Sequence, residues 1–258
     1  MNILCIGDIY GKTGRDAIEK HLPILKEKYK PDWIIANGEN ITAGNGLSQK
    51  HLNFLKKCGV DIVTTGNHIL ARTDWVEVVK DKDVLRPNNL VPESSPGKGI
   101  AVFSKNGTDN IAVMNLTGRI FMEPCRCPFA EFDKLYPLVP EQTPLVVDFH
   151  AEATSEKQAF FWHVNSRAAL AYGTHTHVQT SDDLILPEGN TACITDIGMT
   201  GAVEGIIGVD KSTVISRFRT GFSEKFICAK GQTKIEGVFV RLNNLNKPEV
   251  IEKFRFIG

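Results

Sequence analysis

The sequence lacks any run of about 18 apolar residues, the length a membrane-spanning helix needs, so insertion into a bilayer is not expected. Its opening, MNILCIGDIYGKTGR, has no basic stretch ahead of a long apolar one and is expected to form a core strand, not a secretory leader. Net charge is also missing, with 30 Lys plus Arg against 30 Asp plus Glu. That balance gives no support to a protein that coats nucleic acid or binds membranes through a polybasic patch. The six cysteines form no paired framework and read as reduced thiols of a cytoplasmic protein. Cys125 and Cys127 make a CxC with no second pair, which fits two thiols in a surface loop better than a metal or redox site. Internal repeats, low-complexity tracts and long linkers are absent, so residues 1–258 are expected to form one domain.

What is present is alternation of apolar strands and amphipathic helices. Residues 2–7, 32–36 and 60–65 are short apolar runs stopped by turn chemistry. Between them, 15–29 and 48–58 carry helical spacing, with Ser48 placed to cap and Gly59 to close the second helix. A Pro/Gly/Ser loop at 91–99 interrupts the pattern. Strands are then expected at 99–104, 110–116, 145–150, 191–196, 233–242 and 250–256, with one long helix at 155–172. Early strand–helix alternation followed by strand pairs implies two packed sheets with helices outside.

Polar residues cluster where these strands stop. Asp8 follows the first, Glu39 and Asn40 the second, Asn67 and His68 the third, and His150 ends the run at 145–150. In Gly173-Thr174-His175-Thr176-His177 the two imidazoles lie two apart, so on extended backbone they face the same side. Each element alone has an ordinary explanation: a turn-forming Asn-Gly, or an acid capping a helix. Together the carboxylates, amide oxygens and imidazoles suit a two-metal centre. Gly7-Asp8-Ile9-Tyr10-Gly11-Lys12-Thr13 is not a phosphate-binding P-loop, because three residues, not four, separate its glycines. His21, His51 and His163 sit in helical patterns and are expected to pack or face solvent. Phe121, Phe129 and Trp162 offer stacking faces, but aromatic residues this scattered are expected in the core; Lys98 and Arg119 offer cations that could reach a phosphate.

The ordered motifs resemble those of the metallophosphoesterase (calcineurin-like) superfamily. They are most similar to its bacterial YmdB-like subgroup of cyclic-nucleotide phosphodiesterases, through GDIYGKTGR at 7–15, GEN at 38–40, GNH at 66–68, DFHAEATSEK at 148–157, GTHTHVQT at 173–180 and TDIGMTG at 195–201. The resemblance implies an α/β, four-layer αββα sandwich of two mixed sheets. It also implies two divalent or mixed-valence metal ions, iron or manganese. One would take Asp8, Glu39, Asn40 and His177; the other would take Glu39, Asn67, His150 and His175, with Glu39 shared. Tyr10 stands where the broad superfamily has a histidine, Glu39 where it has an aspartate, and Ile69 where many members place an acid after the catalytic histidine.

Two cations about 3.5–4 Å apart lower the pKa of a shared water and stabilise charge on phosphate oxygens. His68 is then placed to protonate the leaving alkoxide. The expected reaction is hydrolysis of a 2′,3′- or 3′,5′-cyclic nucleotide, a small phosphoester, with no membrane or nucleic-acid partner indicated and assembly into a homo-oligomer left open. The alternatives are another phosphoesterase on the same centre (phosphomonoesterase, nucleotidase or nuclease) and a non-catalytic, metal-dependent regulatory or RNA-associated protein.

Overall fold

The computed structural model describes residues 1–222 and 225–258. One sheet runs Asp8–Ile9, Met199–Ala202, Thr233–Leu242, Asn2–Ile6, Trp33–Asn37, Ile62–Thr64, and Pro248–Ile257 also pairs with Thr233–Leu242. The other runs Ile100–Lys105, Thr108–Thr117, Leu145–His150, Leu170–Thr174, Ala192–Ile194, Leu184–Ile185.

Side chains alternate along a strand, and that alternation builds the layers. Ile3 and Cys5 turn inward with Trp33, Ile35, Val238 and Val240 to meet Val113, Val146, Leu170, Tyr172 and Ile194 of the facing sheet. Leu4 and Ile6 turn outward onto Ile18, Leu22 and Leu25 of the helix Gly11–Tyr29 and Leu52 and Leu55 of the helix Gln49–Cys58. On the far side Met114, Val147 and Phe149 meet Phe132 of the helix Pro128–Leu135 and Phe160 and Phe161 of the helix Thr154–Val164. The molecule is therefore the four-layer αββα sandwich of two mixed sheets that the motifs implied.

Each sheet contains a run of parallel strands. Asn2–Ile6, Trp33–Asn37 and Ile62–Thr64 run together, as do Thr108–Thr117, Leu145–His150, Leu170–Thr174 and Ala192–Ile194. Parallel strands deliver their carboxyl ends to one edge, the usual place for ligands in an α/β sheet. Here that edge carries Asp8, Glu39 and Asn67 from one sheet and His150 and His175 from the other.

One element expected from the sequence is wrong. The helix expected over 155–172 stops at Val164, and Leu170–Thr174 is a strand buried on both faces. Ser166, at φ 71°, turns the chain between them. A fully buried strand is apolar at every position, so its pattern cannot be told from that of a buried helix segment. The strand Met199–Ala202 and the helices Pro128–Leu135 and Lys211–Thr220 were not expected. The first helix begins at Gly11 rather than 15. Gly59 closes the second helix at φ 89°, but Ser48 stands at the cap position without a side-chain cap bond. Among the described residues no helix is long and apolar enough to cross a membrane.

Candidate metal centre

The fold brings all seven expected ligands and His68 together, with Glu39, Asn40, His68, His175 and His177 lining a cleft. Two groups of donor atoms, Asp8–Glu39–His177 and Glu39–His150–His175, each fall within 4.8 Å, and Glu39 belongs to both. Asn40 adjoins the first group: its Nδ2 donates to Glu39 Oε1 at 2.7 Å and lies 3.1 Å from His177 Nε2, which leaves Oδ1 as its possible ligand atom. Asn67 joins the second, with Oδ1 3.1 Å from His150 Nε2. Gly66 permits this closeness, because a Cβ there would overlap Glu39 Oε2 and His150 Nε2.

Each histidine is anchored through its outer nitrogen. His177 Nδ1 lies 2.8 Å from the Ile207 carbonyl oxygen. That oxygen can only accept, so Nδ1 carries the proton and Nε2 faces the centre. His175 turns Nε2 toward the Glu152 carboxylate at 3.2 Å and presents Nδ1 inward. His150 Nδ1 lies 2.8 Å from the Thr174 hydroxyl, which donates its one proton to Asp148 Oδ1 at 2.7 Å. The hydroxyl must therefore accept from His150, leaving Nε2 as the inward atom. Such outer partners fix ring orientation and basicity at metal sites. Glu152 and Asp148 were not singled out in the sequence, although both lie inside the motif at 148–157.

Electrostatics single out the same atoms. Burial alone would raise the Glu39 carboxyl, but the His150 and His68 imidazoles hold it well below the usual carboxylate range. Burial opposes charge on His150, yet Glu39, Asp8 and Asp148 push it up to about 9. His175, buried beside His150, falls to about 3. Burial raises Asp8 despite the neighbouring His177 and His150. Burial likewise lifts Asp148 to about 6.

Three buried side-chain oxygens have no hydrogen-bond partner among the described residues, and two of them are here: Asp8 Oδ1 and Asn40 Oδ1. Unpaired buried acceptors are costly, and a cation removes that cost. The donor set of carboxylates, amides and imidazoles therefore fits metal.

The turn that carries both imidazoles is held from below. His175 and His177 adopt φ of 99° and 63°, a region L-residues rarely occupy. Between them Thr176 donates from its N and its Oγ1 to Asp196 Oδ2, at 3.1 and 2.7 Å. The same oxygen takes Lys157 Nζ at 2.8 Å, in an ion pair with both side chains almost fully buried. Removing one partner of such a pair leaves an uncompensated charge and costs about 3–5 kcal/mol. Lys157→Met is therefore expected to lose about that much stability in urea unfolding; a loss under about 1 kcal/mol would show that Asp196 is neutralised in another way.

His68 lies at the cleft with its side chain 40% exposed, Nδ1 3.1 Å from Glu39 Oε1. Burial works against its charge, but Glu39 outweighs it and raises the pKa. Glu39 thus supplies the carboxylate that Ile69 does not. His21, His51 and His163 pair with Thr233, Thr42 and Asp133, away from the centre. Phe121, Phe129, Trp162, Lys98 and Arg119 do not line the cleft; its aromatic residues are Tyr10 and Phe226. The CxC cysteines are half-buried free thiols in the loop before Pro128–Leu135.

Residues 4–254 match the family described as YmdB-like protein. The 2′,3′-cyclic-nucleotide 2′-phosphodiesterase of Bacillus subtilis (strain 168) is 45% identical over 252 residues, covering 97% of this chain and 94% of that protein. The crystal structure of a novel phosphatase from Mycoplasma pneumoniae superposes with TM-score 0.93 at 37% identity, covering 100% of this chain and 93% of the other. A hypothetical protein from Thermus thermophilus does so with TM-score 0.93 at 35% identity, covering 100% of this chain and 99% of the other.

Proposed function

Because the chain belongs to the YmdB-like family, we propose that it is a metal-dependent phosphodiesterase acting on 2′,3′- or 3′,5′-cyclic nucleotides, the 2′,3′ form being the one named for the 45%-identical relative. The observation that carries this reading is the pair of donor groups sharing Glu39. Asp8, Glu39, Asn40 and His177 would hold one ion, and Glu39, Asn67, His150 and His175 a second, with iron or manganese suited to this mixture of carboxylate, amide and imidazole. When bound, such ions lower the pKa of a water and draw charge from phosphate oxygens.

The protein's own groups do the rest. The anchored outer nitrogens of His150, His175 and His177 keep the inward ones aimed without reorganisation. His68 has no partner for Nε2 among the described residues, and that nitrogen is free to give a proton to the departing oxygen. Hydrolysis adds water oxygen to phosphorus, breaks one of the two ribose–phosphate esters and leaves a phosphomonoester on the other ribose oxygen. The leaving oxygen takes the proton from His68, whose charge Glu39 supports. We also infer that residues 1–258 act as one catalytic domain, and that six free thiols suit the reducing cytoplasm.

The test is turnover of 2′,3′-cyclic AMP by protein loaded with Fe²⁺ or Mn²⁺, beside bis(p-nitrophenyl) phosphate and p-nitrophenyl phosphate. Metal-dependent hydrolysis of both diesters is expected. Preference for the monoester would favour a phosphatase, as the 37%-identical Mycoplasma pneumoniae protein is described. Binding of the cyclic nucleotide without product would favour a non-catalytic sensor.

A further inference from the structure

The cleft is larger and less polar than a phosphate requires. Its volume is about 670 Å³, within the range of sites that enclose a whole small molecule. Glu39, Asn40, His68, His175 and His177 supply its polar part, and Tyr10, Ile207, Val209 and Phe226 supply an apolar wall. The wall adjoins the centre directly, since Ile207 holds His177 through its carbonyl and Tyr10 meets the His177 ring edge-on at 5.7 Å between centroids.

The two aromatics of that wall differ in availability. Tyr10 is only 8% exposed and is packed so closely that a Cβ on Gly44 or Gly208 would strike its ring. Phe226 is 47% exposed. The Arg217 guanidinium of the helix Lys211–Thr220 lies 5.0 Å from its centroid. The backbone after it is pinned: Asp210 N donates to Ile227 O at 2.8 Å, Ala229 N to Gly208 O at 2.8 Å, and Val209 bridges Cys228. An aromatic ring on pinned backbone, half open and bordering the cleft, is available to a flat partner.

We propose that Phe226 is the platform on which the nucleobase of the substrate stacks, with Ile207 and Val209 completing the apolar wall. This rests on the cyclic-nucleotide reading above and adds where the base goes. A cyclic phosphate and its ribose are polar throughout, and the base is the one part of the substrate with an apolar face. Stacking on an aromatic ring tolerates every base, because each has a π-face. The site therefore accepts purine and pyrimidine 2′,3′-cyclic nucleotides alike.

The experiment compares metal-loaded wild type, Phe226→Ala and Phe226→Tyr on 2′,3′-cyclic AMP and on ethylene phosphate, a five-membered cyclic diester with no base. In Phe226→Ala the selectivity for 2′,3′-cyclic AMP over ethylene phosphate is expected to fall about tenfold, as loss of one stacking contact implies, chiefly through KM. Phe226→Tyr is expected to restore it. Equal losses on both substrates, or no change on either, would overturn the platform while leaving the phosphodiesterase intact. Hydrolysis of neither substrate by wild type would overturn the parent reading and this one with it.

Discussion

Glu39→Gln is expected to bring hydrolysis of 2′,3′-cyclic AMP to background and to release metal from both donor groups. The substitution keeps the side chain's volume, and its amide retains an oxygen for the backbone N of His68, so the fold should persist in circular dichroism. What it removes is the charge that both groups share and that holds His150 at about 9. Losing only an outer partner of a ligand costs about 10–100-fold in metal affinity, so losing the shared carboxylate should cost more than about 100-fold. Metal content after desalting, read beside turnover, checks this. A Gln variant that keeps two ions and wild-type activity would remove Glu39 from the centre.

The second large effect belongs to His68. His68→Ala should keep its metal yet lose about 10²–10⁴-fold in turnover of 2′,3′-cyclic AMP, the usual worth of a general acid. The loss should be much smaller for bis(p-nitrophenyl) phosphate, whose p-nitrophenolate leaves without needing a proton. That difference separates proton donation from mere positioning. Equal losses on both substrates would make His68 a residue that orients the phosphate. Glu39 raises its pKa against the effect of burial, the direction a proton donor needs.

These two residues were legible because each sits beside a strand end with little competing explanation once the motifs are taken together. The same holds for Asp8, Asn40, Asn67, His150, His175 and His177, which the fold gathers around Glu39. The partners that orient them were not legible. Thr174 reaches His150 across 24 residues of chain and Asp196 reaches Lys157 across 39, and Glu152 and Asp148 act through neighbours that only packing defines. In the linear pattern a buried Lys looks the same as an exposed helical one. The aromatic residues were misjudged for a related reason: Phe121 and Trp162, expected in the core, are exposed, while Phe226, not singled out, lines the cleft beside backbone hydrogen bonds between residues 227–229 and 208–210.

Strand periodicity, a local property of the chain, was enough to point to two packed sheets with helices outside, and the resemblance of the motifs at the strand ends implied the four-layer sandwich and the set of candidate ligands. Three outcomes needed the folded molecule: where the strand Leu170–Thr174 begins, which carboxylate supports His68, and which aromatic faces the site. Each depends on what lies across the sheet or along a paired segment, and burial and hydrogen-bond satisfaction at such contacts outweigh local propensity.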